Sequence, residues 1–195
     1  MTPQLLDVLR QLSHEVFRSG EDVARQLRIS RASVHNAVRE AEALGLRVQA
    51  VRGRGYRLAW PVTWLDAGTF SPSLFTLGVR SRLEREVDST NDHLMARAPS
   101  GEPHKSMVVA EWQGKGRGRR GRVWLAGLGG GLTFSLLWRF NRPVSELSGL
   151  SLVVGLSLAR VLREAGAARA SVKWPNDILL YEAKLAGVLI ELAGD

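Results

Sequence analysis

Residues 19–45 read SGEDVARQLRISRASVHNAVREAEALG, and this stretch decides the architecture of the N-terminal part. Ser19 stands where a helix N-cap belongs, and Val23, Ala24 and Leu27 follow at helical spacing. Ser30 caps a second helix that turns Val34, Val38, Ala41 and Leu44 inward, with Gly45 as its stop. Three residues, Arg28-Ile29-Ser30, separate the two helices. Upstream, Leu5, Leu6, Leu9, Leu12 and Val16 recur at three- and four-residue spacing and predict a further helix. Downstream, Leu46, Val48 and Ala50 alternate with polar residues, Gly53-Arg54-Gly55 turns the chain, and Tyr56 and Leu58 alternate on the return, a β-hairpin pattern. Helix, helix, short turn, helix and basic hairpin is the plan of a winged helix-turn-helix, expected over residues 1–60.

The second helix of such a unit enters the DNA major groove by its N-terminal end. Its outward residues here are Arg31, Ser33, His35, Asn36 and Arg39, and Arg and Asn read guanine and adenine edges with paired hydrogen bonds. Arg52, Arg54 and Arg57 on the hairpin are placed for phosphates. His35 has no second histidine at ligand spacing and reads as a surface residue. The same pattern also suits a helical protein-binding module whose arginines form a solvated face.

The whole chain has 195 residues, 45% apolar and 24% charged, which is the composition of a folded chain and not of a disordered one. With no cysteine, it excludes disulfides, thiolate metal sites and cysteine nucleophiles. No uninterrupted apolar run reaches spanning length, and the N-terminus lacks the apolar core of a signal peptide, so no membrane span and a cytoplasmic location are expected. The net charge is +8, and only Lys105, Lys115, Lys173 and Lys184 are lysines among 27 basic residues. Arginine's fork suits phosphate and carboxylate, so a polyanionic partner is one reading and plain solubility the other.

Trp60-Pro61 marks a change of pattern, and residues 61–195 are expected to form a second domain. Val87 ends a strand, Asp88-Ser89-Thr90-Asn91 caps a helix running to about Ala98, and Met107–Ala110 and Leu132–Trp138 read as strands. Leu147–Leu162 predicts a nearly all-apolar helix that should be buried, and strands are expected at Val172–Trp174 and Lys184–Leu192. This order gives an α+β (α/β) class with a mixed sheet.

Three clusters carry chemistry. Residues 114–122, GKGRGRRGR, hold four glycines, four arginines and one lysine. Glycines let backbone N–H groups turn toward an anion, and arginines add forked charge. Gly116, Gly118 and Gly121 fit G-x-G-x-x-G, but a helix does not follow, so the dinucleotide fingerprint fails. No P-loop spacing exists, and an RNA-binding arginine-glycine tail would not sit between apolar strands. The second cluster, Lys173-Trp174-Pro175-Asn176-Asp177, sets a cation, an amide and a carboxylate together; its oxygens suit Mg²⁺ carried on a nucleotide, and an ordinary turn is the alternative. The third, Ser89-Thr90-Asn91 with Lys184, offers polar contacts to a small molecule, with helix capping and a solvated lysine as the alternative.

DSTN at 88–91, EWQGKGRGRRGRVW at 111–124, KWPNDI at 173–178 and KLAGVLIE at 184–191 together resemble the biotin–protein ligases. With residues 19–45 and GRGYRL at 53–58 before them, the chain resembles the bifunctional type, which is also the biotin operon repressor. The resemblance implies a catalytic sheet similar to class II aminoacyl-tRNA synthetases. It implies ATP- and Mg²⁺-dependent formation of biotinyl-5′-adenylate, then transfer of biotin to a lysine of a carboxylase's biotin carboxyl carrier domain. It also implies operator DNA as partner and a ligand-induced homodimer, with strand 184–192 as a pairing edge.

By position it assigns Ser89, Thr90, Asn91, Gln113, Arg117, Gly118, Arg119 and Lys184 to biotin. Arg119, Arg122, Trp124, Lys173, Asn176 and Asp177 fall to ATP, Asp177 to Mg²⁺ through the nucleotide, and Arg119, Lys184 and Lys173 to catalysis. Loop 114–124 is expected to be mobile without ligand and ordered by it. Relatives of this type continue beyond the position of Asp195, so a C-terminally incomplete ligase core is expected. A biotin-sensing DNA-binding regulator with a weak or inactive ligase core is the alternative, and Lys115 stands where a small residue is common.

Overall fold

The computed structural model describes residues 1–193. The chain forms two compact units: Met1–Gly116 with Leu125–Leu137, and Arg117–Trp124 with the chain from Trp138 onward. These units are drawn differently from the sequence division at 60/61. The first keeps the N-terminal helices and a sheet of the following segment together. Three ion pairs join these segments: Arg10 reaches Glu111 at 2.5 Å, Arg85 pairs with Asp7, and the N-terminal amine meets Glu86 at 2.9 Å; Trp64 and Trp112 also pack against the helical core.

In the first unit, α1 (Leu5–Arg10), α2 (Gly20–Leu27) and α3 (Arg31–Ala43) precede the antiparallel hairpin of β1 (Val48–Val51) and β2 (Gly55–Leu58). Ser19 accepts from the Glu21 N–H and Ser30 from the Ser33 N–H, so both caps form as the sequence predicts. Arg28 leaves α2 in the left-handed region at φ 55°, which turns the chain into α3. Leu5, Leu9, Val23, Val34 and Leu46 are essentially inaccessible and form one core. Gly55, at φ +100°, is required: a Cβ there would come within 2.0 Å of the Arg18 carbonyl. The helical repeat of the first segment ends early, because Val16 lies beyond α1 and is 60% exposed.

Also in this unit, α4 (Ala67–Thr76) leads into β3 (Arg80–Val87), α5 (Thr90–Arg97), β4 (Ser106–Gln113) and β5 (Thr133–Leu136). The strand order is β3-β4-β5, with β3 parallel and β5 antiparallel to β4, a mixed sheet. Leu128 joins the helical core and donates its N–H to Leu44, so the glycine-rich run after the arginine loop packs under α3.

The second unit holds α6 (Leu150–Glu164) and the antiparallel sheet β6 (Ser171–Lys173), β7 (Asp177–Leu180) and β8 (Ala183–Gly187). Two expectations are corrected here. The apolar helix is not buried: only Gly155 and Ala159 are inaccessible, and Val153, Leu156 and Val161 are about 60% exposed. Among the described residues, three strands of three to five residues cannot cover a 15-residue helix on all sides. The strand expected over 184–192 ends at Gly187, where its pairing with β7 ends.

By length and composition Val144–Glu164 is apolar enough to cross a membrane, which the sequence reading did not expect. It is interrupted, however. A 3₁₀ turn at Val144–Leu147 is followed by Gly149 at φ 88°, and α6 alone is about 22 Å long, short of a bilayer core.

Candidate active site

The N-terminal surface is built by α3 and the hairpin. Arg31, His35, Asn36 and Arg39 are exposed on one side of α3, while Val34, Ala37, Val38 and Ala41 fill the core on the other. Ser33 is partly occupied by its neighbour, since its hydroxyl lies 2.9 Å from that of Ser30. His35 Nδ1 lies 3.4 Å from the Tyr56 hydroxyl. Arg54 and Arg57 stack on Phe17 at 4.5 and 4.7 Å, Arg57 also donates to Gln49 Oε1 at 2.7 Å, and Arg52 and Arg54 are exposed. Phe17 was not singled out from sequence, because this contact joins a loop to the hairpin.

In the same unit, Ser89 caps α5 by accepting from the Asp92 N–H at 3.3 Å. Ser89 and Thr90 are buried. The Thr90 hydroxyl lies 2.8 Å from that of Ser135, which donates to Asn91 Oδ1 at 2.5 Å. Gln113 Oε1 accepts from the Thr90 N–H at 3.3 Å. The end of β4, the start of α5 and β5 thus gather four of the predicted residues, Ser89, Thr90, Asn91 and Gln113, into one polar network. Ser135 is its added member. Its partners are more than 40 positions away in sequence, so spacing gave no signal for it.

Lys115 Nζ binds Asp88 at 2.7 Å, and that hydrogen bond pushes the ammonium upward. Two residues before Gln113, Glu111 is buried and accepts from Arg10 and from the Leu65 N–H at 3.1 Å. Burial pushes its carboxyl up, and Arg10 opposes that shift.

The second unit gathers the arginine loop and the KWPND segment. Arg119 donates to Asn176 Oδ1 at 3.0 Å, and Asn176 Nδ2 donates to the Val188 carbonyl at 2.9 Å. Lys184 Nζ pairs with Asp177 at 2.7 Å and lies 5.1 Å above the Trp124 ring. Arg117 grips Glu191 with 3.0 Å bonds to both carboxylate oxygens. The loop closes on itself where the Gly118 N–H donates to the Arg122 carbonyl at 2.7 Å. Trp174-Pro175 is a cis peptide, and the Pro175 carbonyl accepts from Ser151. Close packing fixes Gly187: a Cβ there would stand 3.1 Å from Trp124.

Lys173 pairs with Asp177 in the strand register, and its side chain is exposed. The Arg122 side chain is exposed as well. This cluster is rich in forked and point cations, a setting for a small polyanion. Among the described residues no group of three or more His, Asp or Glu could hold a metal. One carboxylate, Asp177, already paired with Lys184, fits only an ion that arrives mainly coordinated by phosphate oxygens.

A helix-turn-helix module followed by a ligase core of mixed α and β structure is the class defined by this fold. The helix-turn-helix (HTH) domain model matches residues 4–57. The chain belongs to the biotin/lipoate A/B protein ligase family, whose model matches residues 83–194.

It is 40% identical over 190 residues to the bifunctional ligase/repressor BirA of Salmonella typhimurium, covering 97% of this chain and 58% of that protein. It is 38% identical over 192 residues to BirA of Escherichia coli, with the same shares, so it spans 58% of the length of these relatives. Among solved structures, the Aquifex aeolicus biotin protein ligase in complex with biotin and ATP is similar with TM-score 0.52 and 40% identity, over 60% of this chain and 48% of that one. The Leishmania major ligase in complex with biotinyl-5-AMP is similar with TM-score 0.54 and 28% identity, over 60% of this chain and 53% of that one.

Proposed function

We propose that the protein is an ATP-dependent biotin–protein ligase that also represses transcription in response to biotin. It makes biotinyl-5′-adenylate, passes biotin to a lysine of a carboxylase carrier domain, and works in the cytoplasm. The observation that carries this reading is the cationic cluster in the second unit. There Arg119 meets Asn176 and Lys184 meets Asp177 within one chain segment set. The family and the bifunctional relatives that match both parts of the chain support it.

The chemistry asks for such a cluster. A biotin carboxylate oxygen attacks the α-phosphorus of ATP, and the bond to pyrophosphate breaks. Two anions must approach each other, and Arg117, Arg119 and Lys184 offset their repulsion and the charge developing at the phosphorus. Lys173 and Arg122, exposed in the free chain, meet the phosphates. Trp124, Asn176 and Asp177 complete the nucleotide side. Magnesium neutralises phosphate charge when bound, and Asp177 is the residue that would meet it.

Ser89, Thr90, Asn91 and Gln113, with Gly118, serve biotin through hydroxyl, amide and backbone groups. In the second half-reaction a carrier lysine attacks the acyl carbon of the mixed anhydride and AMP leaves. Water destroys such an anhydride, so ordering of loop 114–124 by ligand protects it. Protease should therefore nick this loop more slowly with biotin and ATP present than without. Equal rates contradict the ordering.

The DNA-facing role rests on Arg31, Ser33, His35, Asn36, Arg39, Arg52 and Arg54, and a homodimer formed on ligand binding would present two such surfaces to a two-part operator. The test of the enzymatic reading is direct. Chain, biotin, Mg²⁺ and α-labelled ATP should yield labelled biotinyl-adenylate. If biotin raises the melting temperature and no adenylate forms, the sensor reading replaces the enzyme.

A further inference from the structure

Away from the polar network of Ser89, Thr90, Asn91 and Gln113, the N-terminal ends of β3 and β4 carry a second basic feature. Arg80 is in register with Ser106, and Arg82 with Val108, so the two arginines share a sheet face with the serine. A cavity of about 270 Å³ opens on this face, lined by Arg80, Arg82, Ser106, Glu102 and Pro103. Its volume is just below the roughly 300–1,000 Å³ of small-molecule pockets.

Ser106 is 2% exposed, and among the described residues its hydroxyl is a buried polar group with no hydrogen-bond partner. Such orphans are uncommon in folded proteins and mark a group satisfied by something else. Neither arginine side chain takes part in an ion pair or hydrogen bond among the described residues. The single carboxylate on the wall, Glu102, is neutralised by Arg97 at 3.3 Å. The cavity therefore holds two uncompensated forks and one unused hydroxyl, and Glu102 adds no uncompensated negative charge.

We propose that this cavity binds the phosphate group of a small phosphomonoester, with Arg80 and Arg82 clamping its oxygens and Ser106 donating from the floor. Paired forks and a hydroxyl suit a tetrahedral oxyanion, and the cavity leaves room for an organic remainder. Nothing in the proposed ligation uses these residues, which lie at the opposite end of β3 and β4 from Val87 and Gln113.

The test is calorimetry on the full chain at fixed ionic strength, with glycerol 3-phosphate, inorganic phosphate and glycerol as probes. Glycerol 3-phosphate should bind, glycerol should not, and the ratio of the two phosphate affinities identifies whether an ester or the free ion is the preferred source. The Arg80→Gln/Arg82→Gln variant should lose about tenfold or more in affinity, as expected for charge-assisted bonds. Ser106→Ala should weaken binding without lowering the melting temperature, because the hydroxyl it removes has no partner in the free protein.

Arg119→Gln should bind glycerol 3-phosphate as the wild type does. Its loss there would put the phosphate on the arginine loop and overturn the proposal. So would absence of heat with both phosphate probes, or unchanged affinity in the Arg80→Gln/Arg82→Gln variant.

Discussion

The two compact units treat their apolar residues differently. The first has a packed core in its N-terminal part, where Leu5, Val8, Leu9, Val23 and Val34 are at 0% exposure, although Phe75 on α4 stays open. The second leaves Val153, Leu156 and Val161 on α6 open, and Trp174 is 77% exposed. The N-terminal part of the first therefore holds its residues by packing. The second holds its site by polar contacts, Arg119 to Asn176, Lys184 to Asp177 and Arg117 to Glu191. Packed cores are costly to disturb, whereas partly exposed ion pairs contribute little and exchange easily. The packed core thus supports the α3 surface proposed to meet DNA, and the exchangeable ion pairs hold the residues proposed to meet nucleotide.

Core truncation is the sharpest way to break the comparison. Leu9→Ala should destabilise the first unit by about 2–5 kcal/mol, by lost burial and a residual cavity. Val153→Ala on the open face of α6 should stay within about 0.5 kcal/mol. Denaturant unfolding followed by a probe in each unit checks both, and equal losses would remove the contrast.

A smaller effect is expected at the tie between α1 and β4. Arg10→Met leaves the buried Glu111 carboxylate with only the Leu65 N–H, and should cost about 1–3 kcal/mol, reduced from a fully buried pair because Arg10 is partly exposed. The pH dependence follows from the same group. Burial raises the folded pKa of Glu111, so the folded chain holds this proton more tightly than the unfolded one. Its contribution is full below the unfolded pKa and is lost as pH rises through the folded value. Glu111→Gln should thus gain stability relative to wild type as pH rises through and above the ordinary carboxyl range, measured by melting at each pH. A relative loss on raising pH would show that the pairing with Arg10 outweighs burial.

Next in size, Ser30→Ala removes the cap of α3 and should cost about 1 kcal/mol. The smallest effect on stability is expected for Arg31→Ala and Arg39→Ala, which touch no core residue and should fall within about 0.5 kcal/mol. They should weaken operator binding and leave adenylate formation intact, as read by gel shift and by labelled product. Equal loss of both activities would refute the division of labour.

Local features were legible in the sequence. The caps at Ser19, Ser30 and Ser89 form because a hydroxyl and an N–H two or three residues on are enough to define them. The turn at Gly55 was legible for the same reason. Features that join distant segments were not: Ser135 in the Thr90–Asn91 network, Leu128 in the helical core, and the Arg10–Glu111 pair have no short-range signature. The burial of α6 was misread because an apolar helix predicts a need for cover, and cover depends on what else packs there. The strand from Lys184 stops at Gly187 because pairing with β7 stops, although the apolar run continues through Val188-Leu189-Ile190.

The central claim is that the loop arginine and its partner segment do the adenylation. Single-turnover formation of labelled biotinyl-adenylate by wild type and by Arg119→Ala, with circular dichroism on both, measures it. The account predicts product from wild type, an unchanged fold, and a rate lower by about 10²–10³ in the variant, the scale of losing one charge-stabilising donor. Equal rates in the two proteins would contradict it.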